Sequence, residues 1–139
     1  MKLARSFVTI LAVLSLLAAC GTNSQRAIAP TEDALAATAT AVLAFEQYRD
    51  ESTIPTVTVT TLEDVLNAVA DAESEITALP SRTDAVGQAL SSVRLAADAI
   101  SSALYLVQTG TGEEEDAAAA LEAAHDALDS TVASLKSQQ

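Results

Sequence analysis

Apolar residues at alternating steps of four and three between positions 86 and 107 limit the possible fold more than any other feature of this chain. The run consists of Val86, Leu90, Val93, Ala97, Ile100, Leu104 and Val107. This is heptad spacing, which places one face of an α-helix against a neighbouring helix. The pattern predicts a long helix over 82–109. Further apolar residues at Leu95, Tyr105 and Leu106 predict that this helix contacts more than one neighbour.

Three more helices are predicted from stripes of the same period. The chain is rich in alanine and has only four glycines and three prolines, a composition that favours helix. The predicted helices span 31–51, 61–79 and 113–137. Their stripes are Leu35, Thr38, Val42, Phe45 and Tyr48; Leu62, Val65, Leu66, Val69, Ala72, Ile76 and Leu79; and Ala117, Leu121, Ala124, Leu128, Val132 and Leu135.

Polar residues and glycine mark the predicted helix ends. Thr31 is predicted to cap the first helix, and Thr60 with Glu63 and Thr111 with Glu114 have capping-box spacing. Gly110 suits the left-handed residue that closes a helix. Residues 52–60 are predicted to be an extended connection, because valines alternate there with threonines.

Short turns at Pro80 and Gly110 require antiparallel neighbours. The sequence therefore predicts an all-α fold, an antiparallel up-down four-helix bundle over 31–139. The alternative is a three-helix bundle with the first helix loosely attached.

The N-terminal segment has the parts of a secretory signal. Lys2 and Arg5 precede an apolar stretch that ends in Leu17-Ala18-Ala19-Cys20. This ending resembles the lipobox of bacterial lipoproteins. The resemblance implies that residues 1–19 are a signal peptide cleaved between Ala19 and Cys20. It also implies that Cys20 carries diacylglycerol, with acyl chains such as palmitate, as a membrane anchor.

The resemblance also implies a location in the cell envelope, on the extracytoplasmic side. Gly21 is not the aspartate that retains many lipoproteins at the inner membrane of enteric bacteria. This favours the outer membrane in a host with two membranes, and otherwise the outer face of the plasma membrane. Residues 20–30, the lipidated cysteine and a polar irregular stretch, are predicted to be a tether to the bundle.

The charge of the chain argues against a nucleic-acid partner. The whole chain has 7 basic and 19 acidic residues, and removal of Lys2 and Arg5 with the signal makes it still more acidic. Phosphate-rich partners repel such a surface. Aromatic residues, which carbohydrate and base-stacking sites use, make up only 3% of the chain.

One constellation has metal-ligating residue types. Glu122 and His125 have the Glu-x-x-His spacing of ferritin-like di-iron bundles, and Asp129 lies one turn farther on. With a single histidine, one copy of the chain lacks the second motif that a di-iron site needs. Haem is also disfavoured, because the only methionine is Met1 and the chain has a single cysteine. A weak divalent site at Glu122, His125 and Asp129 is the remaining hypothesis, and no cofactor is expected.

No catalytic grouping accompanies His125, so the chain is expected not to be an enzyme. The sequence favours an acidic, lipid-anchored bundle that binds another envelope protein or acts as a spacer. The alternative is a carrier of a metal or small ligand. Self-association is a third reading, because small residues in the long helix allow close approach of a second copy. These residues are Ala96, Ala97, Ala99 and Ala103.

Overall fold

A computed structural model describes residues 22–138 as four α-helices joined by short connections. We number the helices α1 (Asn23–Arg49), α2 (Pro55–Thr77), α3 (Asp84–Thr109) and α4 (Glu114–Ser137). This part of the chain contains no β-strand. The predicted all-α four-helix bundle is confirmed.

The helices form a square in which consecutive helices are neighbours. Both α1 and α3 contact α2 and α4, and α1 and α3 also contact each other across the bundle. Lys136 Nζ near the end of α4 lies 2.6 Å from Glu32 Oε1 in the first half of α1. Neighbouring helices are therefore antiparallel, as predicted. Because α1 packs against all three other helices, the three-helix alternative is wrong.

The two ends of the bundle are distinct. The side-chain amide of Asn23, at the start of α1, donates a hydrogen bond to Ser81 Oγ in the α2–α3 turn. We call this end, with residues 22–26, 78–84 and 136–138, the basal end. The opposite end, with residues 49–55 and 109–116, is the distal end.

The predicted stripes of α2, α3 and α4 form most of the core. All six stripe residues of α4 are buried. Of the stripe predicted for α2, Leu66 is half-buried, and Leu79, also half-buried, lies just beyond the end of the helix. In α3 the heptad residues are buried except for Ala97 and Leu104, which are half-buried. Periodic apolar residues therefore located the large buried side chains of these helices correctly.

The buried face of α1 is built mainly from small residues. Ala27, Ala34 and Ala41, seven residues apart, are each fully buried, and Phe45 is the one large buried side chain of this helix. The predicted stripe is only partly right. Thr38 and Phe45 are buried, whereas Leu35, Val42 and Tyr48 lie half-buried at the edge of the core. Small side chains let α1 lie close to its neighbours.

The tether predicted over 20–30 is wrong for residues 23–30, which form the first turns of α1. Thr22, not Thr31, caps the helix: its hydroxyl accepts from the backbone N–H of Gln25, whose side chain accepts from the N–H of Thr22. Thr31 is buried in mid-helix, where its hydroxyl donates to the carbonyl of Ala27. The cost of Pro30 inside a helix is offset by this cap and by burial of the proline and its neighbours.

The extended connection predicted over 52–60 is also wrong from Pro55 onward. Pro55 occupies the first turn of α2, where its missing N–H and restricted φ are tolerated. The hydroxyls of Thr60 and Thr61 donate within the helix, to the carbonyls of Thr56 and Val57. Thr60 is therefore no N-cap. Burial of Thr58 in the stripe that continues through Leu62 outweighs the low helix propensity of β-branched residues.

Of the two predicted features at the α3–α4 turn, one is confirmed. Gly110 has φ 65° and its N–H donates to the carbonyl of Leu106, which closes α3 in the predicted left-handed conformation. The Thr111–Glu114 capping box is wrong, because Glu113 is the N-cap of α4 and makes no side-chain capping bond. The acidic residues that follow lie in the first turn of α4, where they stabilise its exposed amides.

The prediction that α3 contacts more than one neighbour is confirmed, but two of the three additional apolar residues on which it was based are exposed. Leu95 and Tyr105 are 47% and 59% exposed, whereas Leu106 is buried. The second buried stripe of α3 consists instead of small residues, including Ala96, Ala99 and Ala103. Because these three alanines are buried inside the bundle, they do not offer a surface to a second copy. Of the four small residues named for self-association, only Ala97 is partly exposed.

By length and composition, α3 is the only helix within residues 22–138 that could cross a membrane. Half of its most apolar stretch is buried within the bundle. The apolar character of α3 is therefore explained by its contacts with the other three helices.

The hydroxyl of Thr58 is buried without a hydrogen-bond partner among the described residues. Thr58→Val keeps the shape of the side chain and removes this polar group, so we expect the free energy of unfolding to rise by about 1 kcal/mol. Urea unfolding monitored by circular dichroism measures the change. The matched control is Thr56→Val on the exposed side of α2, for which no comparable gain is expected. A loss of stability in Thr58→Val would show that the hydroxyl is satisfied.

Candidate functional site

The predicted metal residues lie on the exposed side of α4, next to α1. Glu122 and His125 line a surface hollow of about 240 Å³ together with Asp126, and α1 contributes Ala39 and Val42. Residues three or four positions apart share a helix face, which is why Glu122 and His125 line the same hollow. Asp129 is exposed one turn farther along α4.

These residues do not form a three-ligand metal centre. Within residues 22–138, no three His, Cys, Asp or Glu side chains are grouped so that they could hold a metal ion. The closest carboxylate contact of the histidine is to its neighbour in sequence, with 3.8 Å between His125 Nδ1 and Asp126 Oδ1. The Asp126 side chain is 86% exposed, so solvent screens this contact. The geometry does not support the predicted divalent site.

Cys20 and the cleavage site Ala19–Cys20 lie outside the described residues. The described chain begins two residues later, at Thr22, whose capping box starts α1.

A larger hollow lies at the distal end, beside the α3–α4 turn. Its volume is about 520 Å³, and its wall includes the exposed ring of Tyr105, the backbone around Gly112 and the side chains of Glu113 and Asp116. Gly112 has φ 130°, a conformation that favours glycine, so the path of the turn depends on this residue.

Other exposed apolar side chains lie toward the same end. Leu43 near the end of α1, Ile54 before α2 and Val57 in its first turn are 55%, 64% and 52% exposed. Together with Tyr105 they make four of the five large hydrophobic residues exposed in the described chain, Leu95 at mid-bundle being the fifth. We call Leu43, Ile54, Val57 and Tyr105 the distal apolar set. Exposed apolar side chains on different helices are thus concentrated toward one end of the bundle.

The sequence analysis missed this set for two reasons. Leu43 and Ile54 fall outside every predicted stripe, which is a signal that could have marked them as exposed. Tyr105 was assigned to a packed face, because a local pattern does not show which neighbours a helix has. Val57 was assigned to an extended connection, because a local pattern does not show where a helix begins.

Two exposed ion pairs join neighbouring helices. Arg94 Nε lies 2.6 Å from Glu73 Oε1 between α3 and α2, and Lys136 pairs with Glu32 between α4 and α1. Exposed pairs contribute only about 0–1 kcal/mol. They support the register of the helices and carry no chemistry of their own.

Comparison of the chain with protein-family models, with curated proteins and with solved structures finds no match.

Proposed function

We propose that this chain is a non-catalytic lipoprotein of the cell envelope, anchored through lipid on Cys20, whose helical bundle binds another envelope protein. The lipobox-like ending Leu17-Ala18-Ala19-Cys20 supports the anchor. The membrane is the outer one in a host with two membranes, and otherwise the plasma membrane on its outer face.

The concentration of exposed apolar residues at the distal end carries the binding part of the proposal. Four of the five exposed large hydrophobic residues of the described chain lie in the half away from the start of α1. Single exposed apolar residues are ordinary on any surface, but a bias to one end is typical of a contact surface. The end that faces away from the anchor is also the end that an envelope partner can reach.

The charge of the distal end indicates the kind of partner. Residues 49–55 and 109–116 contain six acidic residues and one basic residue. Complementary charge steers association and excludes partners of the same sign. The partner is therefore a protein with a basic rim around an apolar contact surface.

The mass of the chain extracted from its host's membranes tests the anchor. We expect a protein that begins at Cys20 and carries the mass of a diacylglyceryl group, with or without a further acyl chain. Cys20→Ser is expected to retain residues 1–19 and to lack the acyl mass, because the chain has no other cysteine. A wild-type protein with a free thiol at Cys20 would contradict the anchor.

Cross-linking in the intact envelope tests the binding surface. Replacing Tyr105 with serine and Ile54 with glutamine should remove most of the cross-linked product formed by the wild-type chain. The matched control is Leu95→Gln, which removes an exposed apolar side chain at mid-bundle and should leave the product unchanged. Equal loss in both variants, or no loss in either, would argue against a distal binding surface.

A further inference from the structure

We propose that the bundle stands end-on at the membrane, with its basal end in contact with the phosphates of phospholipid headgroups. This inference rests on the proposed lipid at Cys20, and it adds the orientation of the bundle and the surface that contacts the membrane.

The link between the lipidated residue and the bundle is short. Thr22 is already the N-cap of α1, and two residues of fully extended chain span at most about 7 Å. The basal end of the bundle is therefore held within a few ångströms of the lipid. A tether of ten residues, as the sequence pattern suggested, would have reached about 35 Å and left the orientation free.

The basal end carries positive charge on three separate elements. Residues 22–26, 78–84 and 136–138 contain three basic residues and one acidic residue, Asp84. Arg26 lies in the first turns of α1, Arg82 in the α2–α3 turn and Lys136 in the last turn of α4. The contact between Asn23 and Ser81 and that between Lys136 and Glu32 bring these elements together. All three basic residues are exposed. Lys136 is already paired with Glu32, so the contact with phosphate rests on Arg26 and Arg82, which form no ion pair within residues 22–138.

The opposite end is acidic and far from the anchor. α1 has 27 residues, and at about 1.5 Å per residue it places the distal end about 40 Å from the basal end. This distance exceeds the Debye length of about 8–10 Å at physiological salt, so anionic headgroups do not act on the distal acids in an end-on bundle. A bundle lying flat would bring the acidic residues along its sides and distal end against the headgroups. Headgroup charge therefore favours the end-on orientation.

Energy transfer from tryptophan to a labelled headgroup measures the orientation directly. The chain has no tryptophan, so single substitutions at exposed sites report one position each. Ala78→Trp places the donor at the basal end and Thr111→Trp at the distal end. The full chain, processed and acylated by a bacterial host, is reconstituted in vesicles of phosphatidylethanolamine and phosphatidylglycerol that contain dansyl-labelled headgroups. We expect transfer from position 78 to be several-fold more efficient than transfer from position 111.

Equal transfer from the two positions in acylated protein overturns the end-on orientation while leaving the lipid anchor intact. The acyl mass of the same preparation reports on the anchor independently, so failure of the proposed function is distinguishable. If the mass shows no acyl group, the anchor fails and this inference fails with it.

Charge reversal tests the contact with headgroup phosphate. The double variant Arg26→Glu/Arg82→Glu should reduce the difference in transfer between the two positions at low salt. Arg49→Glu, a reversal at the distal end, is the matched control and should retain the wild-type difference. An unchanged difference in the basal variant overturns the proposed contact.

Discussion

Replacing Phe45 with alanine is expected to lower the free energy of unfolding by about 3–5 kcal/mol, a large share of the stability of a domain of this size. Phe45 is 1% exposed and is the only large side chain on the buried face of α1, which otherwise presents alanine, threonine and proline. The substitution leaves a cavity and also removes the contact with Tyr48, whose ring centroid lies 5.9 Å away. Urea unfolding measures the loss.

The matched control is Leu43→Ala on the same helix. Leu43 is 55% exposed, so its truncation is expected to change stability by less than about 0.5 kcal/mol. Hydrogen exchange in Phe45→Ala should also show that the amides of α1 lose more protection than those of α3. A loss below about 1 kcal/mol in Phe45→Ala would mean that α1 is held mainly by its small residues.

Enlarging a buried alanine of α1 is expected to have the next largest effect. Ala34 is fully buried at the middle of the series Ala27, Ala34 and Ala41. A leucine at this fully buried position adds three carbon atoms between packed helices, so we expect α1 to shift or side chains to adopt poor rotamers. Ala34→Leu should therefore lower the free energy of unfolding by about 1–3 kcal/mol.

Ala36→Leu provides the comparison for this effect. Ala36 is exposed on the same helix, and leucine is nearly as good a helix former as alanine. Stability of the control should stay within about 0.5 kcal/mol of the wild type. If Ala34→Leu is as stable as Ala36→Leu, α1 is not closely packed against its neighbours. If Ala34→Leu is more stable than the wild type, a cavity exists beside residue 34.

These two results bear on the proposed function through α1. The lipid on Cys20 would act on the bundle through α1, because this helix starts at Asn23. Firm packing of α1 is needed if the anchor is to hold the orientation of the whole bundle. A loosely packed α1 would act as an extended tether and would remove the basis for an end-on orientation.

Local patterns were sufficient for features that depend on neighbours along the chain. All six residues predicted for the α4 stripe, from Ala117 to Leu135, are buried, since they recur at helical period with no competing apolar face. The buried residue of α4 that this stripe missed is Thr131. The left-handed conformation at Gly110 was also predicted correctly, because it depends on a single residue type: glycine adopts positive φ without a steric cost. For the candidate site, the sequence could predict only that Glu122 and His125 share one face of a helix.

Features that depend on distant parts of the chain were not predictable in this way. The buried hydrogen bond of 2.8 Å between Ser92 Oγ and Thr131 Oγ1 joins α3 to α4, and neither residue belongs to an apolar stripe. The members of the distal apolar set likewise come to the same end of the bundle only after the helices are assembled. Whether a small or polar residue is buried depends on how closely another helix approaches it. The distance between helices cannot be read from the periodicity of the sequence.

The sequence by itself determined the helical class, the number of helices and the large apolar side chains that α2, α3 and α4 bury, because helix formation and amphipathic period are local properties. Only the tertiary structure decided that α1 continues back through Pro30 to Asn23 and that α2 starts at Pro55. At both places the local signal is a proline or a run of β-branched residues, which opposes helix. Burial against the other helices, through Ala27 and Thr58 among others, outweighs that local preference.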